Sequence, residues 1–235
     1  MTQQQPARPR VRDPKAIPVS GIDAHLAPLP AEALTAGALK RRFAAPEVWT
    51  PEFAGDARML ERASRPAAVL VPLVQRDDGL HVLLTQRTDH LHDHAGQISF
   101  PGGRTDEGDA DAVDTALRET EEEIGLARRH IEVIGQLPIY TTITCYHVTP
   151  VVALVQPPFE LALDAFEVAE AFEVPLAFLM TPAHHRRHLF EYEGDRRQFL
   201  SMPWQGVDAH GEPREYFIWG ATAAMLRNLY RLLAA

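Results

Sequence analysis

Phe100-Pro101-Gly102-Gly103-Arg104-Thr105-Asp106-Glu107-Gly108-Asp109-Ala110-Asp111-Ala112-Val113-Asp114-Thr115-Ala116-Leu117-Arg118-Glu119-Thr120-Glu121-Glu122-Glu123-Ile124-Gly125-Leu126 is a glycine turn, an acidic loop and a helix in succession. Val113, Ala116, Leu117, Thr120 and Ile124 recur at helical spacing, which makes one buried stripe. Asp111 suits the N-cap and Gly125 the C-terminal stop. Glu119, Glu122 and Glu123 are related by i, i+3 and i+4, so they project from one face beside that stripe. Like charges at this spacing cost the helix a few tenths of a kcal/mol per pair. A hard divalent cation, Mg²⁺ or Mn²⁺, relieves that repulsion, because both favour carboxylate oxygens and Mg²⁺ readily shares them with water and phosphate. A solvated acidic face is the plainer alternative for a bare E-x-x-E-E.

Gly102-Gly103 upstream, Arg118 directly before the first Glu and Gly125 after the last complete a pattern that resembles the signature of the Nudix hydrolases. Those enzymes cleave nucleoside diphosphates linked to another group. The resemblance implies that Glu119, Glu122 and Glu123 bind metal and activate water, that Arg118 braces them, and that the Gly103 backbone shapes the metal site. One departure stands out. The family pattern has a Glu eight residues before the Arg, where this chain has Ala110, and the loop is one residue longer. Asp109 and Asp111 are the two candidates to replace it. An EF-hand reading of Asp106 to Glu119 fails, because no Gly occupies the sixth position counted from Asp106 or Asp109.

A second motif leads into the first. Leu83-Leu84-Thr85-Gln86-Arg87-Thr88 continues through Leu91 to Gly96-Gln97-Ile98-Ser99-Phe100-Pro101-Gly102-Gly103, and resembles the extra signature of the coenzyme A pyrophosphatase subfamily. The match extends to His147-Val148-Thr149-Pro150, Glu173-Val174-Pro175-Leu176 and Ile218-Trp219-Gly220, so it covers about residues 65 to 233. It implies hydrolysis of coenzyme A, or a derivative, to 3',5'-ADP and 4'-phosphopantetheine. Arg87, His92, Gly102 and Gly103 are the implied substrate-binding positions. His92 stands where the subfamily has Arg, and holds phosphate less strongly at neutral pH because a free imidazole titrates near 6.5. A late-loop carboxylate serves as base in several Nudix enzymes; Glu167 is preferred here over Glu170. Other nucleotide substrates, such as ADP-ribose or a dinucleoside polyphosphate, are the nearest alternative. A non-catalytic nucleotide-sensing module is the second, and loss of a helix glutamate, its usual mark, has not occurred.

The rest of the chain bounds these readings. At 235 residues with 46% hydrophobic content it is long enough for one domain with extensions. A formal charge of -9 argues against non-specific nucleic-acid binding. Cys145 is the single cysteine, so no internal disulfide forms and a reducing, cytoplasmic location is the default. No apolar run is long enough for a membrane span or a signal core. A homodimer is compatible with the sequence, which does not fix the oligomeric state.

Three segments are expected: a loosely ordered tail over 1–20, a helical extension and linker over 21–64, and the catalytic domain over 65–235. In the second, Pro30 to Phe43 reads as helical, anchored by Leu34, Leu39 and Phe43. Ala67 to Val74 and Leu80 to Thr85 read as paired strands around an Asp77-Asp78-Gly79 turn. Gln97 to Phe100, Ile131 to Leu137, His147 to Val155 and Tyr216 to Trp219 read as further strands, with Pro150 marking an edge or bulge. Phe166 to Phe172 reads as short helix or loop, Leu176 to Met180 as helix, and Ala221 to Leu233 as the last helix. The fold class is α/β, a Nudix-type α/β/α sandwich with a mixed sheet between helices. His90, His92 and His94 alternate as zinc ligands on an extended chain would, though a polar substrate-facing loop is the simpler reading. His184-His185-Arg186-Arg187-His188 reads as a contact for the 3'-phosphate of coenzyme A or as a solvated basic loop.

Overall fold

The computed structural model describes residues 13–56, 64–90, 96–192 and 195–235. In chain order the elements are β1 (Val19–Ile22), α1 (Ala36–Ala44), β2 (Arg65–Arg76), β3 (Gly79–Arg87), β4 (Ile98–Ser99), β5 (Gly102–Arg104) and α2 (Ala112–Ile124). They continue with β6 (Ile131–Gln136), β7 (Tyr140–Thr141), β8 (Tyr146–Val155), β9 (Val168–Pro175), α3 (Leu176–Leu179), β10 (Arg186–Tyr192), β11 (Asp195–Val207), β12 (Pro213–Trp219) and α4 (Gly220–Leu233).

β2 explains the layering. It is apolar at nearly every position, so it lies inside the sheet with both faces covered. Ala67, Val69, Val71 and Leu73 join the core that holds Ala223, Leu226 and Leu229 of α4. Ala68 and Leu70 face the other way, against Val113, Ala116 and Leu117 of α2. β8 runs parallel to β2 over its whole length and alternates in the same manner. Helices on both faces of an eight-stranded mixed sheet give the expected sandwich. The central order is β4-β3-β2-β8-β6, with β5 on β2, β7 on β8 and β9 on β3.

Four expectations need correction. Pro150 is not on an edge strand, since β8 has β2 on one side and β6 and β7 on the other. It sits where that second side changes partner, between Gln136↔Val151 and Tyr140↔Val148, and its carbonyl accepts from Leu137 N at 2.9 Å. A missing N–H is tolerated at such a gap. Phe166 to Phe172 leads into a strand: Val168, Glu170, Phe172 and Val174 alternate inward on β9. The buried Glu170 breaks the apolar alternation that would have announced it. A second, antiparallel sheet, β1-β10-β11-β12, was not foreseen. β10 opens on Arg186-Arg187-His188, which shows no apolar alternation, and Pro203 and Gly206 interrupt β11. Of the loose tail expected over 1–20, residues 1–12 lie outside the described residues, and 13–20 are structured: Pro14–Ala16 forms a 3-10 turn capped by Asp13, and β1 pairs with β10.

The segment before β2 shares the main core. Leu34 and Leu39 are buried there, and Phe43, Trp49 and Phe53 pack against it. Among the described residues no helix is long and apolar enough to cross a membrane.

His185 gives this core a pH dependence. It is fully buried; Nε2 donates to Leu179 O at 2.7 Å, and Nδ1 accepts from the Arg227 guanidinium at 3.0 Å. The second contact requires the neutral ring, since a protonated Nδ1 cannot accept; the first persists on protonation and opposes the shift. Burial, and then the Arg227 charge, push its pKa down to about 4. The unfolded ring binds a proton near 6.5 and the folded ring does not, so this stability is complete above 6.5 and lost as pH falls toward 4. Urea unfolding is expected to show a loss of about 2 kcal/mol between pH 7.5 and 5 from this group. A His185→Gln variant is expected to be weaker at pH 7.5 but to show a flatter pH dependence; an equal slope would clear His185 of the effect.

Candidate active site

Asp111 caps α2, accepting from Val113 N at 2.8 Å and Asp114 N at 2.9 Å. Gly125 ends the helix in the left-handed region, φ 69°. These caps fix the phase of Arg118, Glu119, Glu122 and Glu123. Opposite them stands β5. Gly102 has φ 147°, and a Cβ there would lie 2.4 Å from Ala68 O. Its N–H donates to Glu123 Oε2 at 3.0 Å. A Cβ on Gly103 would lie 2.3 Å from Glu119 Oε2. The two glycines therefore let the strand backbone close onto the helix carboxylates.

Arg118 is the hub. Its guanidinium donates to both oxygens of Asp109, at 2.8 and 2.9 Å. It also donates to Glu119 at 3.0 Å, to Glu122 at 2.8 Å and to Arg104 O at 3.0 Å. Asp109 further accepts from Asp106 N and Thr115 Oγ1, both at 2.9 Å. Arg118 and these donors hold the Asp109 carboxyl well below the usual range. Asp109, not Asp111, thus pairs with the Arg in place of the residue that Ala110 lacks. The shorter side chain, one position earlier on a loop one residue longer, reaches the same guanidinium. Asp111 is occupied with capping.

Arg87 joins the cluster from β3. Its guanidinium is 3.6 Å from Glu123 Oε1 and 3.6 Å from Glu167 Oε2. A register shift between Gln86 and Arg87 against β9 aims it there. Glu167 follows a turn tied to α2 and β3: Asp164 N donates to Glu123 O, and Thr88 N to Glu167 O. Glu170, the other late carboxylate, is committed elsewhere, to the Tyr216 hydroxyl at 2.6 Å and Arg214 at 2.7 Å. Glu123 is 6% exposed, and burial pushes its pKa up to about 7, with Glu167 and Glu119 adding to the shift and Gly102 and Arg87 opposing it. Burial also raises Glu119, against the pull of Arg118.

Six carboxylates (Asp106, Asp109, Glu119, Glu122, Glu123 and Glu167) thus face two guanidiniums. No three acidic, His or Cys side chains among the described residues converge as a ready-made metal cage. The donor chemistry still suits a hard divalent ion that keeps waters and takes substrate oxygens, and the buried, charge-penalised Glu119 and Glu123 are the groups it would satisfy.

Of the remaining sequence candidates, His92 and His94 lie outside the described residues, and His90 stands against Phe166 with ring centroids 4.9 Å apart. Most of the His184 to His188 segment is committed to the fold, with Arg186 left exposed at the start of β10. His185 and His188 are buried, His184 stacks on Phe178, and Arg187 is paired with Asp23 and Glu52.

Residues 64–192 match the model of the NUDIX domain family. A protein of Escherichia coli (strain K12), described as the uncharacterized Nudix hydrolase NudL, is 42% identical over 167 residues, covering 70% of this chain and 81% of that one. Its counterpart in Shigella boydii serotype 18 matches to the same extent, 42% over 167 residues. Among solved structures, a C. elegans Ap4A hydrolase binary complex is 23% identical, covering 50% of this chain and 85% of that chain with a TM-score of 0.40.

Proposed function

The chain belongs to the NUDIX domain family, and from that premise we propose that it hydrolyses the pyrophosphate of coenzyme A or a derivative to 3',5'-ADP and 4'-phosphopantetheine. As a Nudix hydrolase it is a pyrophosphohydrolase of nucleoside diphosphate derivatives, and its family generally uses divalent metal ions. Supporting the finer reading is Arg87, the arginine of the second motif, lying 3.6 Å from both Glu123 and Glu167. It is ion-paired with both carboxylates at a distance longer than a close hydrogen bond, so its N–H groups can still turn to a phosphate oxygen by fork geometry. The single cysteine supports a cytoplasmic setting.

In this proposal Glu119, Glu122 and Glu123 hold Mg²⁺ or Mn²⁺, with Gly102 and Gly103 keeping the strand close. The bound ion supplies charge neutralisation for the diphosphate and a more acidic water. Arg118 and Asp109 fix the rotamers of Glu119 and Glu122. Arg87 orients the diphosphate between Glu123 and the late loop. Water attacks one phosphorus, the bridging P–O bond breaks, and the bridging oxygen leaves with the other phosphate. Glu167, on the open side of the cluster, takes the proton from the attacking water. Gly103→Ala displaces Glu119 without touching the core. It is expected to lower kcat about 100-fold, as misplacement of a reacting group by an ångström does, with Tm within a few degrees of wild type. Steady-state rates beside a melting curve check this.

The deciding experiment is mass spectrometry of coenzyme A incubated with the protein and Mn²⁺, with and without EDTA. Both products are expected only in the metal-containing sample, with activity restored when excess Mg²⁺ or Mn²⁺ is returned. Intact coenzyme A in both samples sinks the subfamily reading; cleavage of ADP-ribose under the same conditions then selects the alternative substrate. Inertness toward every nucleotide tested selects the sensing module.

A further inference from the structure

Phe166 is 66% exposed, and it is the one aromatic among the exposed large hydrophobic side chains of the described residues. Its position is held rather than loose. Phe166 N donates to Asp164 Oδ1 at 2.9 Å, and Phe166 O accepts from Thr88 Oγ1 at 2.8 Å. The same turn is anchored to the end of α2, where Asp164 N donates to Glu123 O at 2.9 Å. His90 stands beside the ring, centroids 4.9 Å apart and tilted by 58°. A side chain of this size gains by burial, and the fold leaves it in water one residue from Glu167 and one turn from the carboxylate cluster.

We infer that Phe166, supported by His90, is the platform on which the heterocyclic base of the nucleotide substrate stacks. The inference rests on reading the carboxylate cluster as the pyrophosphate site. Phe166 directly precedes Glu167, which stands 3.6 Å from Arg87, and its carbonyl is bonded to Thr88, the residue after Arg87, so the ring and a phosphate held by Arg87 belong to the same pair of neighbouring segments. The rest of that cluster is charged and offers an uncharged base no apolar face. A flat ring with an exposed face does, and it accepts a base by stacking without reading its edge. Phe166 is thus a specificity-determining residue that favours nucleotide over base-free diphosphates.

Calorimetric titration with AMP and with ribose 5-phosphate, each with Mn²⁺, tests this. Wild type is expected to bind AMP at least tenfold more tightly than ribose 5-phosphate. Phe166→Leu, which keeps apolar bulk but removes the flat face, is expected to erase that difference, and Phe166→Tyr to keep it. Equal affinity of wild type for the two ligands, no binding of AMP, or full preference retained in Phe166→Leu would each overturn the inference. AMP is common to coenzyme A and ADP-ribose, so failure of coenzyme A hydrolysis, measured on the same wild-type sample, is read separately.

Discussion

Glu123→Gln is expected to lower kcat for pyrophosphate cleavage about 1000-fold, the size of effect associated with loss of a positioned acid–base or charge-stabilising group, and to leave the protein folded. The amide is nearly isosteric, and its oxygen still accepts from Gly102 N, which now donates to Glu123 Oε2 at 3.0 Å. What is lost is a negative charge that α2 presents to both the β5 backbone and Arg87. Burial already penalises that charge in the metal-free protein, so Tm in EDTA is expected to stay level or rise. The combination separates function from fold: a variant that melts normally, turns over slowly and binds Mn²⁺ more weakly is the predicted result. Turnover within tenfold of wild type would remove Glu123 from the chemistry. Glu122 differs in kind, being mostly exposed and held by Arg118, so its orientation depends on the Arg118–Asp109 pair.

How much of this was legible follows from the range of the interactions. Both caps of α2 are local, set within four residues, and they stand as the sequence implied; the carboxylates share the helix but divide, with Glu123 buried and Glu122 mostly exposed. β2 and β3 carry their turn and their apolar runs with them, and they pair as read. The choice between Asp109 and Asp111 was not legible, because it depends on where a loop folds back against Arg118. Nor was the commitment of Glu170, whose partners Tyr216 and Arg214 come from the far end of the chain. The basic run from His184 to His188 misled for the same reason. Its charges look solvated in sequence, yet Arg187 is neutralised by Asp23 and Glu52, more than a hundred positions away. The second sheet, assembled from β1 and the late hairpins, is a product of such distant pairings.

Those pairings make Arg227→Met the second large expected effect, this time on stability. Arg227 is 1% exposed inside α4. Its guanidinium lies 2.7 Å from Glu52, 3.3 Å from Asp23 and 3.0 Å from the neutral His185 ring. Arg187 grips the same two carboxylates from β10, at 2.7 Å and 2.6 Å. Two positive and two negative groups are therefore balanced in a poorly solvated site. Methionine fills the aliphatic space but removes one charge, leaving two carboxylates to share Arg187. Breaking a buried pair in this way costs roughly 3–5 kcal/mol, and the partial exposure of Glu52 argues for about 3, or a fall in Tm on the order of 10 °C for a chain of this size. Glu52→Gln added to Arg227→Met restores the balance and is expected to recover part of the loss, a coupling that a merely space-filling role for Arg227 would not produce. Because Asp23 and Glu52 both precede β2, the same network implies that the described residues 13–56 fold with the catalytic core. Removing residues 1–56 would strip the buried Arg227 and the partly exposed Arg187 of both carboxylate partners at once and is expected to abolish folding. A truncated chain with a native-like melt, or a loss below 1 kcal/mol in Arg227→Met by urea unfolding, would show the network to be idle.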